Sequence, residues 1–166
     1  MLFCTGVMDL VDILTKDQIL TDLQATNRWE AIDELINNLV ATGKIQAQHR
    51  EAIVGVVRKR EQSMSTGIGF GIGIPHASTD LITEVVGALG RSKRGCDFDA
   101  LDNQPVSIVV LFLVPQGQFQ KHLHTLAGIA KLLHKAEFRQ ALEQAPDAEA
   151  MLRVIKDAGK NHPVAG

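Results

Sequence analysis

Aromatic residues are scarce in this 166-residue chain, which has no tyrosine, one tryptophan and six phenylalanines. A platform on which nucleic-acid bases stack needs several exposed aromatic side chains. The formal net charge is −2, so the chain also lacks the positive charge that attracts a phosphate backbone. The composition therefore argues against a nucleic-acid partner.

Cysteine is nearly as scarce, because Cys4 and Cys96 are the only two and they form no CxxC motif. Unpaired thiols are typical of a reducing compartment rather than of a disulfide-stabilised secreted domain. The N-terminal residues have no basic segment and include Asp9 and Asp12, so we expect no signal peptide. No apolar run approaches the roughly 20 residues that a membrane-spanning helix needs. We therefore expect a cytoplasmic protein without membrane insertion.

Metal-binding motifs are missing too, since the sequence has neither HExxH nor a Cys/His cluster. His122 and His124 are two residues apart, which places them on nearly opposite sides of a helix, so they cannot share one ion. We expect no metal and no cofactor. His49, His134 and His162 lie in polar or terminal settings and are expected at the surface.

What the sequence does have is an alternation of strand-like and helix-like segments. Apolar and β-branched runs predict strands at 19–23, 72–75, 84–91 and 106–115, and a turn-rich segment at 96–105. Helical spacing of apolar residues predicts helices at about 28–42, 47–61, 122–133, 138–142 and 148–155. Thr26 or Asn27, and also Asp147, are suited to cap the helices that follow them.

The segment 106–115, VSIVVLFLVP, is almost continuously apolar, which is typical of a central strand covered on both faces. Together with the helices before, between and after the strands, it indicates an α/β sandwich, a sheet with helices on its faces. The chain has no internal repeat and no linker, so we expect a single domain over residues 1–166. The tail at 159–166 is expected to be frayed.

The most unusual segment is TGIGFGIGIPH at 66–76, in which glycine alternates with apolar residues before Pro75 and His76. It is not a P-loop, because no Gly-Lys-Ser/Thr follows, and its third glycine is out of register for the GxGxxG dinucleotide motif. A tight turn or a bulged strand without any ligand explains such a cluster. The other interpretation is a backbone that approaches a ligand closely.

His76 is the candidate nucleophile of this segment. Pro75 fixes its own φ and favours an extended Ile74, so the histidine follows a rigid stretch of backbone. Histidine is an uncharged nucleophile near neutral pH, and α/β folds place reactive groups at strand ends. The alternative is a structural histidine at the end of a strand.

Two further side chains are candidates for the same site as His76. Arg60 lies at the end of a predicted helix, where it is either a helix-end cation, as Arg58 and Lys59 are expected to be, or a group that grips a phosphoryl group. His122 shares a predicted helix face with apolar residues, which fits a hydrogen-bonded histidine at the edge of the core.

TGIGFGIGIPH, the upstream pair Arg60-Glu61 and the downstream KHLHTLAGIAKLL resemble the EIIA domains of the phosphoenolpyruvate-dependent phosphotransferase system, fructose/mannitol type. FDALDNQPV, LVPQGQFQKHLHTLAGIAKLL and the start DLVDILTKDQILTDLQATNRWEAIDELINNLVATGKI are most similar to the nitrogen-regulatory EIIA-Ntr branch. The resemblance covers nearly the whole chain. It implies a mixed sheet flanked by helices on both faces.

The resemblance also implies a phosphotransferase activity, that of a histidine phosphocarrier without a cofactor. His76 would accept the phosphoryl group from a phosphohistidine on an HPr-like carrier protein, and His122 and Arg60 would stabilise it. The implied output is contact with regulatory targets, such as potassium transporters or sensor kinases. The alternatives are a sugar-specific EIIA that passes the phosphoryl group to an EIIB, and a non-catalytic binding module of the same fold.

Three residues depart from the family pattern, namely Gly73 before Ile-Pro, Ala77 after Pro-His, and Asp80, near which many members carry a basic residue. These departures concern the shape of the loop and the local field, and hence the docking of a partner. They bear on partner docking and on the rate of transfer more than on the identity of the nucleophile.

Three expectations concern the surroundings of His76. Backbone N–H groups of the glycine-rich turn are expected to help bind the phosphoryl oxygens. Ile68, Phe70 and Ile72 are expected either at an apolar rim on which the donor docks or in the core. A hydrogen bond is expected to fix the tautomer of His76, but the sequence does not show which group makes it.

Overall fold

The computed structural model describes residues 8–160, and its centre is a mixed six-stranded sheet with helices on both faces. The predicted α/β sandwich is therefore confirmed. The strands are β1 (Ile19–Leu20), β2 (Gly67–Gly69), β3 (Ile72–Gly73), β4 (His76–Thr79), β5 (Val86–Cys96) and β6 (Val106–Pro115). The helices are α1 (Leu10–Ile13), α2 (Arg28–Ala41), α3 (Arg50–Ser63), α4 (Leu123–Leu133), α5 (Ala136–Gln144) and α6 (Ala148–Lys160). Short 3₁₀ turns precede β1, α3 and α4 at Lys16–Gln18, Ala47–His49 and Gln120–His122.

The strand order is β1-β5-β6-β3-β2, and β4 lies beside β6 beyond the end of β3. β5 is antiparallel to β6, whereas β3 and β4 both run parallel to it. Gly73 pairs with Val109 and His76 pairs with Phe112, so β3 and β4 are two pieces of one strand. The interruption falls at Pro75, which has no N–H to donate to a ladder.

β6 is buried on both faces, as the sequence predicts for a central strand. Its odd-numbered residues from Val109 to Leu113 belong to the core under α2 and α3. Its even-numbered residues, such as Val110 and Phe112, belong to a second core that α1, α4, α5 and α6 cover. One strand therefore carries both layers of helices.

The predicted elements are present with different lengths, whereas α1, β2 and β4 were not predicted. β1 keeps only two of the five residues predicted at 19–23, whereas β5 extends to Cys96 because that residue still pairs with Val106 of β6. α6 extends to Lys160, so the first two residues of the predicted frayed tail are helical, and 161–166 lie outside the described residues. The predicted helix caps are confirmed, since Asn27 accepts from the N–H of Glu30 at 3.0 Å and Asp147 accepts from that of Ala150 at 2.8 Å.

The glycine segment forms the β2–β3 hairpin, with a bulge between Gly67 and Gly69. The turn residues 69–71 all have positive φ, from +58° to +95°. A Cβ at Gly67 would lie 2.8 Å from the side chain of Ala100, and one at Gly73 would lie 2.8 Å from the ring of Phe98. The turn and this close packing explain the alternating glycines without a ligand.

Arg91 of β5 is a buried cation, with 5% of its surface exposed. Its Nε donates to the carbonyl of Thr21 at 3.0 Å. Its Nη1 donates to the carbonyls of Leu142 and Ala145, at 2.9 and 2.6 Å. These bonds tie the middle of the sheet to the end of α5.

We expect Arg91→Met to lower the free energy of unfolding by about 3 kcal/mol, because it leaves buried carbonyls without donors. Urea unfolding followed by circular dichroism measures the change. The matched control is Arg94→Met, an exposed arginine on the same strand, which should change the free energy by less than about 0.5 kcal/mol. Equal effects of the two substitutions would contradict this assignment.

Candidate functional site

The C-terminal half of α3 presents one face towards β4. Residues 56, 59, 60 and 63 follow one another at three- and four-residue spacing, so their side chains share a side of the helix. They lie opposite the start of β4 and close to the segment that precedes α4, and together these elements line a surface depression of about 470 Å³. The lining residues are Val56, Lys59, Arg60, Ser63, His76, Ala77, Ser78 and Phe119.

His76 is the first residue of β4 and is half-buried. Its Nδ1 lies 2.8 Å from the carbonyl oxygen of Ile74. A carbonyl oxygen can only accept, so Nδ1 carries the proton and the lone pair of the neutral ring is on Nε2. The group that fixes the tautomer, which the sequence did not show, is thus a backbone carbonyl.

The carbonyl of Ile74 is available because of the strand interruption. The carbonyl of Pro75 accepts from the N–H of Phe112 at 3.0 Å and so continues the ladder to β6. Successive carbonyls of an extended chain point to opposite sides, so that of Ile74 points away from β6. The side chain of His76 bends back to it.

The charge state of His76 follows from its surroundings. Burial lowers the pKa of His76, and the positive charge of Arg60 lowers it further. The hydrogen bond to Ile74 and the carboxylate of Glu61 raise the pKa, but the balance lies below the usual histidine value. The imidazole of His76 is therefore neutral at pH 7.

Phe119 is the part of the site that the sequence analysis missed. Its ring lies nearly parallel to that of His76, with centroids 6.0 Å apart and an angle of 14° between the planes. This separation is within the range of aromatic pairs. Phe119 stands in a loop rich in glycine and glutamine, where no spacing pattern marks an aromatic residue as part of a site.

Arg60 lines the same depression as His76, and its Nη1 donates to the carbonyl of Met64 at 2.9 Å. It therefore caps the end of α3, as a helix-end cation does, while its remaining N–H groups are free of such a bond among the described residues. Lys59 also lines the depression, so it is more than a helix-end cation. Arg58 forms an ion pair with a carboxylate of α2 at 2.7 Å.

Glu61 is fully buried next to Arg60 and holds the end of α3 in place. Its carboxylate accepts from the N–H of Thr66 at 2.9 Å and from Nη1 of Arg28 at 3.3 Å. Thr66 directly precedes β2, so these bonds fasten the helix to the hairpin that leads to His76. Glu61 thereby sets where Arg60 stands.

His122 is buried, with 5% of its surface exposed, and ends the 3₁₀ turn before α4 instead of lying within a helix. Its backbone N–H donates to the carbonyl of Phe119 at 3.1 Å. Burial lowers the pKa of His122, and its Nδ1 has no hydrogen-bond partner among the residues described. The structure thus joins Arg60 and His76 in one depression, and His122 does not line it.

The other histidines lie away from the depression. His124 and His134 are exposed, whereas His49 is half-buried and not fully at the surface. His162 lies outside the described residues.

Within residues 8–160, no group of three or more His, Cys, Asp or Glu side chains is arranged to hold a metal ion. Over that same range, no helix has both the length and the apolar character to cross a membrane.

The glycine-rich turn does not lie at the site, contrary to expectation. It precedes His76 by about six residues of extended chain, or roughly 20 Å. The N–H of Phe70 in this turn donates to Asp102 at 3.1 Å. Ile68 is half-buried, Phe70 exposed and Ile72 buried, and none of them lines the depression. The turn N–H groups and these side chains are therefore excluded as parts of the site.

Each departure from the family pattern has a place in the structure. Gly73 has no room for a side chain beside the ring of Phe98. Ala77 is buried, and its side chain belongs to the core under α2 and α3. Asp80 follows β4 directly and is exposed.

Comparison with known proteins identifies the family. The sequence model for the EIIA 2 component of the phosphoenolpyruvate-dependent sugar phosphotransferase system matches residues 12–158. This chain belongs to that EIIA family. A role in phosphotransfer follows from membership.

The relatives include both regulatory and sugar-specific proteins. The nitrogen regulatory protein of Bradyrhizobium diazoefficiens is 31% identical over 89% of this chain and 95% of its own length. The fructose-specific EIIABC component of Bacillus subtilis is 34% identical over 92% of this chain, which spans only 24% of that protein. The crystal structure of IIA-Ntr from Neisseria meningitidis superposes with a TM-score of 0.79 at 25% identity, over 88% of this chain and 98% of that one.

We expect His76 to titrate below the usual histidine value of about 6.5. Arg60→Met should raise the pKa of His76 because a nearby positive charge is removed, while burial keeps it below the usual value. Nitrogen chemical shifts of the ring followed against pH measure both values. Lys16→Met, at an exposed lysine before β1, is the control and should leave the pKa of His76 unchanged. An unchanged value in Arg60→Met would contradict the proximity of Arg60 to His76.

Proposed function

We propose that Nε2 of His76 accepts a phosphoryl group from a phosphohistidine on an HPr-like carrier protein. The observation that carries this proposal is the bond between Nδ1 of His76 and the carbonyl of Ile74. This bond leaves the nucleophilic lone pair on Nε2, and the guanidinium of Arg60 lines the same depression. Family membership supplies the class of reaction.

In this reaction the lone pair of Nε2 forms a bond to phosphorus while the N–P bond of the donor breaks. The electron pair of that bond returns to the donor imidazole, so the step needs no metal or cofactor. Negative charge spreads over the three equatorial oxygens, which makes position and electrostatics the main contributions of the protein. Arg60, which lines the depression beside His76, supplies N–H donors to these oxygens. His122 does not line the depression, so its stabilising role stays a prediction from the resemblance.

We further propose that the phosphorylated and unphosphorylated forms contact different regulatory targets in the cytoplasm, such as potassium transporters or sensor kinases. Support comes from the nitrogen regulatory relatives, which match this chain over almost their whole length. The competing proposal is a sugar-specific EIIA, because a fructose-specific relative is equally similar. Transfer from phosphorylated His76 to a purified EIIB would favour the sugar-specific alternative.

His76→Ala should abolish phosphorylation. Intact mass is measured after incubation with enzyme I, a phosphocarrier protein and phosphoenolpyruvate. The wild type should gain one acid-labile phosphoryl group, about 80 Da, and the variant none. No gain in the wild type, with a donor that is active on another EIIA, would favour a non-catalytic binding module.

Arg60→Gln should slow phosphoryl transfer about 100-fold, because one preformed donor to the developing charge is worth roughly 3 kcal/mol. Rapid-quench kinetics under single-turnover conditions measure the rate. The control is Arg58→Gln, two residues earlier on α3, whose side chain is held in an ion pair outside the depression. Equal rates for the two variants would remove Arg60 from the mechanism.

A further inference from the structure

Two turns beside the start of β6 contain every non-glycine residue of positive φ in the part of the chain that the structure describes. They are Phe70 of the β2–β3 turn, at +58°, and Asp99 and Asn103 of the turn before β6, at +50° and +59°. Aspartate and asparagine adopt this left-handed conformation readily, because their short polar side chains can bond to the local backbone. Phenylalanine has no such bond, so its presence at position 70 costs conformational free energy.

Phe70 is also exposed, and a second large apolar side chain stands near it. Phe70 is 63% exposed, and Leu101 on the other turn is 80% exposed. The turns are joined by two hydrogen bonds, from the N–H of Phe70 to Oδ2 of Asp102 at 3.1 Å and from the N–H of Leu101 to the carbonyl of Gly67 at 3.3 Å. We call Phe70 and Leu101 the turn patch. A strained and exposed aromatic residue does not help the chain to fold, which indicates a contact with another molecule.

The ring of Phe70 is held in place by two neighbours from the other side of the patch. The guanidinium carbon of Arg139 lies 5.2 Å from the centroid of the ring, and the ring of His134 meets it edge to face, with centroids 5.2 Å apart. Arg139 is itself fixed, since its Nη1 donates to the carbonyl of Leu133 at 2.9 Å. A ring that is already held loses little conformational entropy when a partner covers it.

The charged groups next to the turn patch have opposite signs on its two sides. Arg139 stands over Phe70 and has no ion-pair partner within residues 8–160. Asp99 and Asp102 flank Leu101, are exposed, and have no such partner in that range either. Both signs recur further out, at Lys93, Arg94, Lys135, Glu137 and Glu143. Such a surface does not select a polyanion or an anionic membrane, but it is complementary to a copy of itself.

We propose that the turn patch is the contact surface of a two-fold symmetric dimer of this chain. The apolar side chains of the two copies would pack at the centre, and Arg139 of one copy would reach Asp99 of the other, and vice versa. The turn patch does not line the depression, so His76 stays accessible in both copies. Two large apolar side chains from each copy make a small interface, so the dissociation constant should be micromolar. The dimer does not require phosphorylation of His76.

Sedimentation equilibrium from about 1 µM to about 1 mM protein measures the dissociation constant. The wild type should pass from monomer to dimer within this range. Phe70→Asn should weaken the dimer at least about tenfold, because the central aromatic contact is lost. The melting temperature of the dilute Phe70→Asn monomer should not fall, because asparagine suits the left-handed backbone. This variant therefore separates loss of contact from loss of folding.

A matched pair of leucines provides the control. Leu101→Gln should weaken the dimer, whereas Leu123→Gln, at a leucine that is 41% exposed at the start of α4, should leave the dissociation constant unchanged. Arg139→Gln and Asp99→Asn should each weaken the dimer. The double variant should be no weaker than the more affected single variant, because both substitutions remove the same contact. Additive effects of the two substitutions would overturn the two-fold arrangement.

Two results would overturn the dimer itself. One is a wild type that stays monomeric throughout the concentration range, and the other is a dimer that Phe70→Asn leaves intact. Binding of a monomeric wild type to anionic phospholipid vesicles, lost in Phe70→Asn, would assign the turn patch to a lipid surface and would also overturn the proposal. None of these results bears on the phosphorylation of His76, which the gain in mass tests separately.

Discussion

The burial of β6 on both faces is the constraint on which the rest of the molecule depends. From Ile108 to Val114, its even- and odd-numbered residues belong to two separate cores, so one strand fixes the helices on opposite sides of the sheet. β3 and β4 also pair with this strand, in a register that sets His76 opposite Phe112. A slip of one residue would turn every core side chain to the wrong face, so the position of His76 is determined as firmly as the core.

The strand interruption at Pro75 leaves the carbonyl of Ile74 free to fix the tautomer of His76. The carbonyl of Ile74 holds the proton on Nδ1 of His76 without bringing a negative charge to the ring. A carboxylate in its place would favour the imidazolium. Because the partner is a neutral carbonyl, burial and the charge of Arg60 outweigh the hydrogen bond, and the ring stays neutral with Nε2 available.

Two consecutive residues of α3, Arg60 and Glu61, carry opposite charges and point to different sides of the helix. Successive residues of a helix point about 100° apart, so Arg60 faces the depression while Glu61 is buried against Arg28 and Thr66. The buried carboxylate fastens the helix to the hairpin, and the guanidinium remains at the site. The rim of the depression is thereby left without an exposed acidic group from α3.

The sequence by itself determined the features that depend on neighbours along the chain. These include the helix caps, the apolar faces of the helices, the apolar run of β6 and the Pro75-His76 sequence motif. Other features depended on contacts between distant parts of the chain. These are the lengths of β1 and β5, the remote position of the glycine-rich turn, and the stacking of Phe119 on His76. Only the tertiary structure decided these, because strand register and packing join residues far apart in sequence, and neither periodicity nor local propensity encodes such partners.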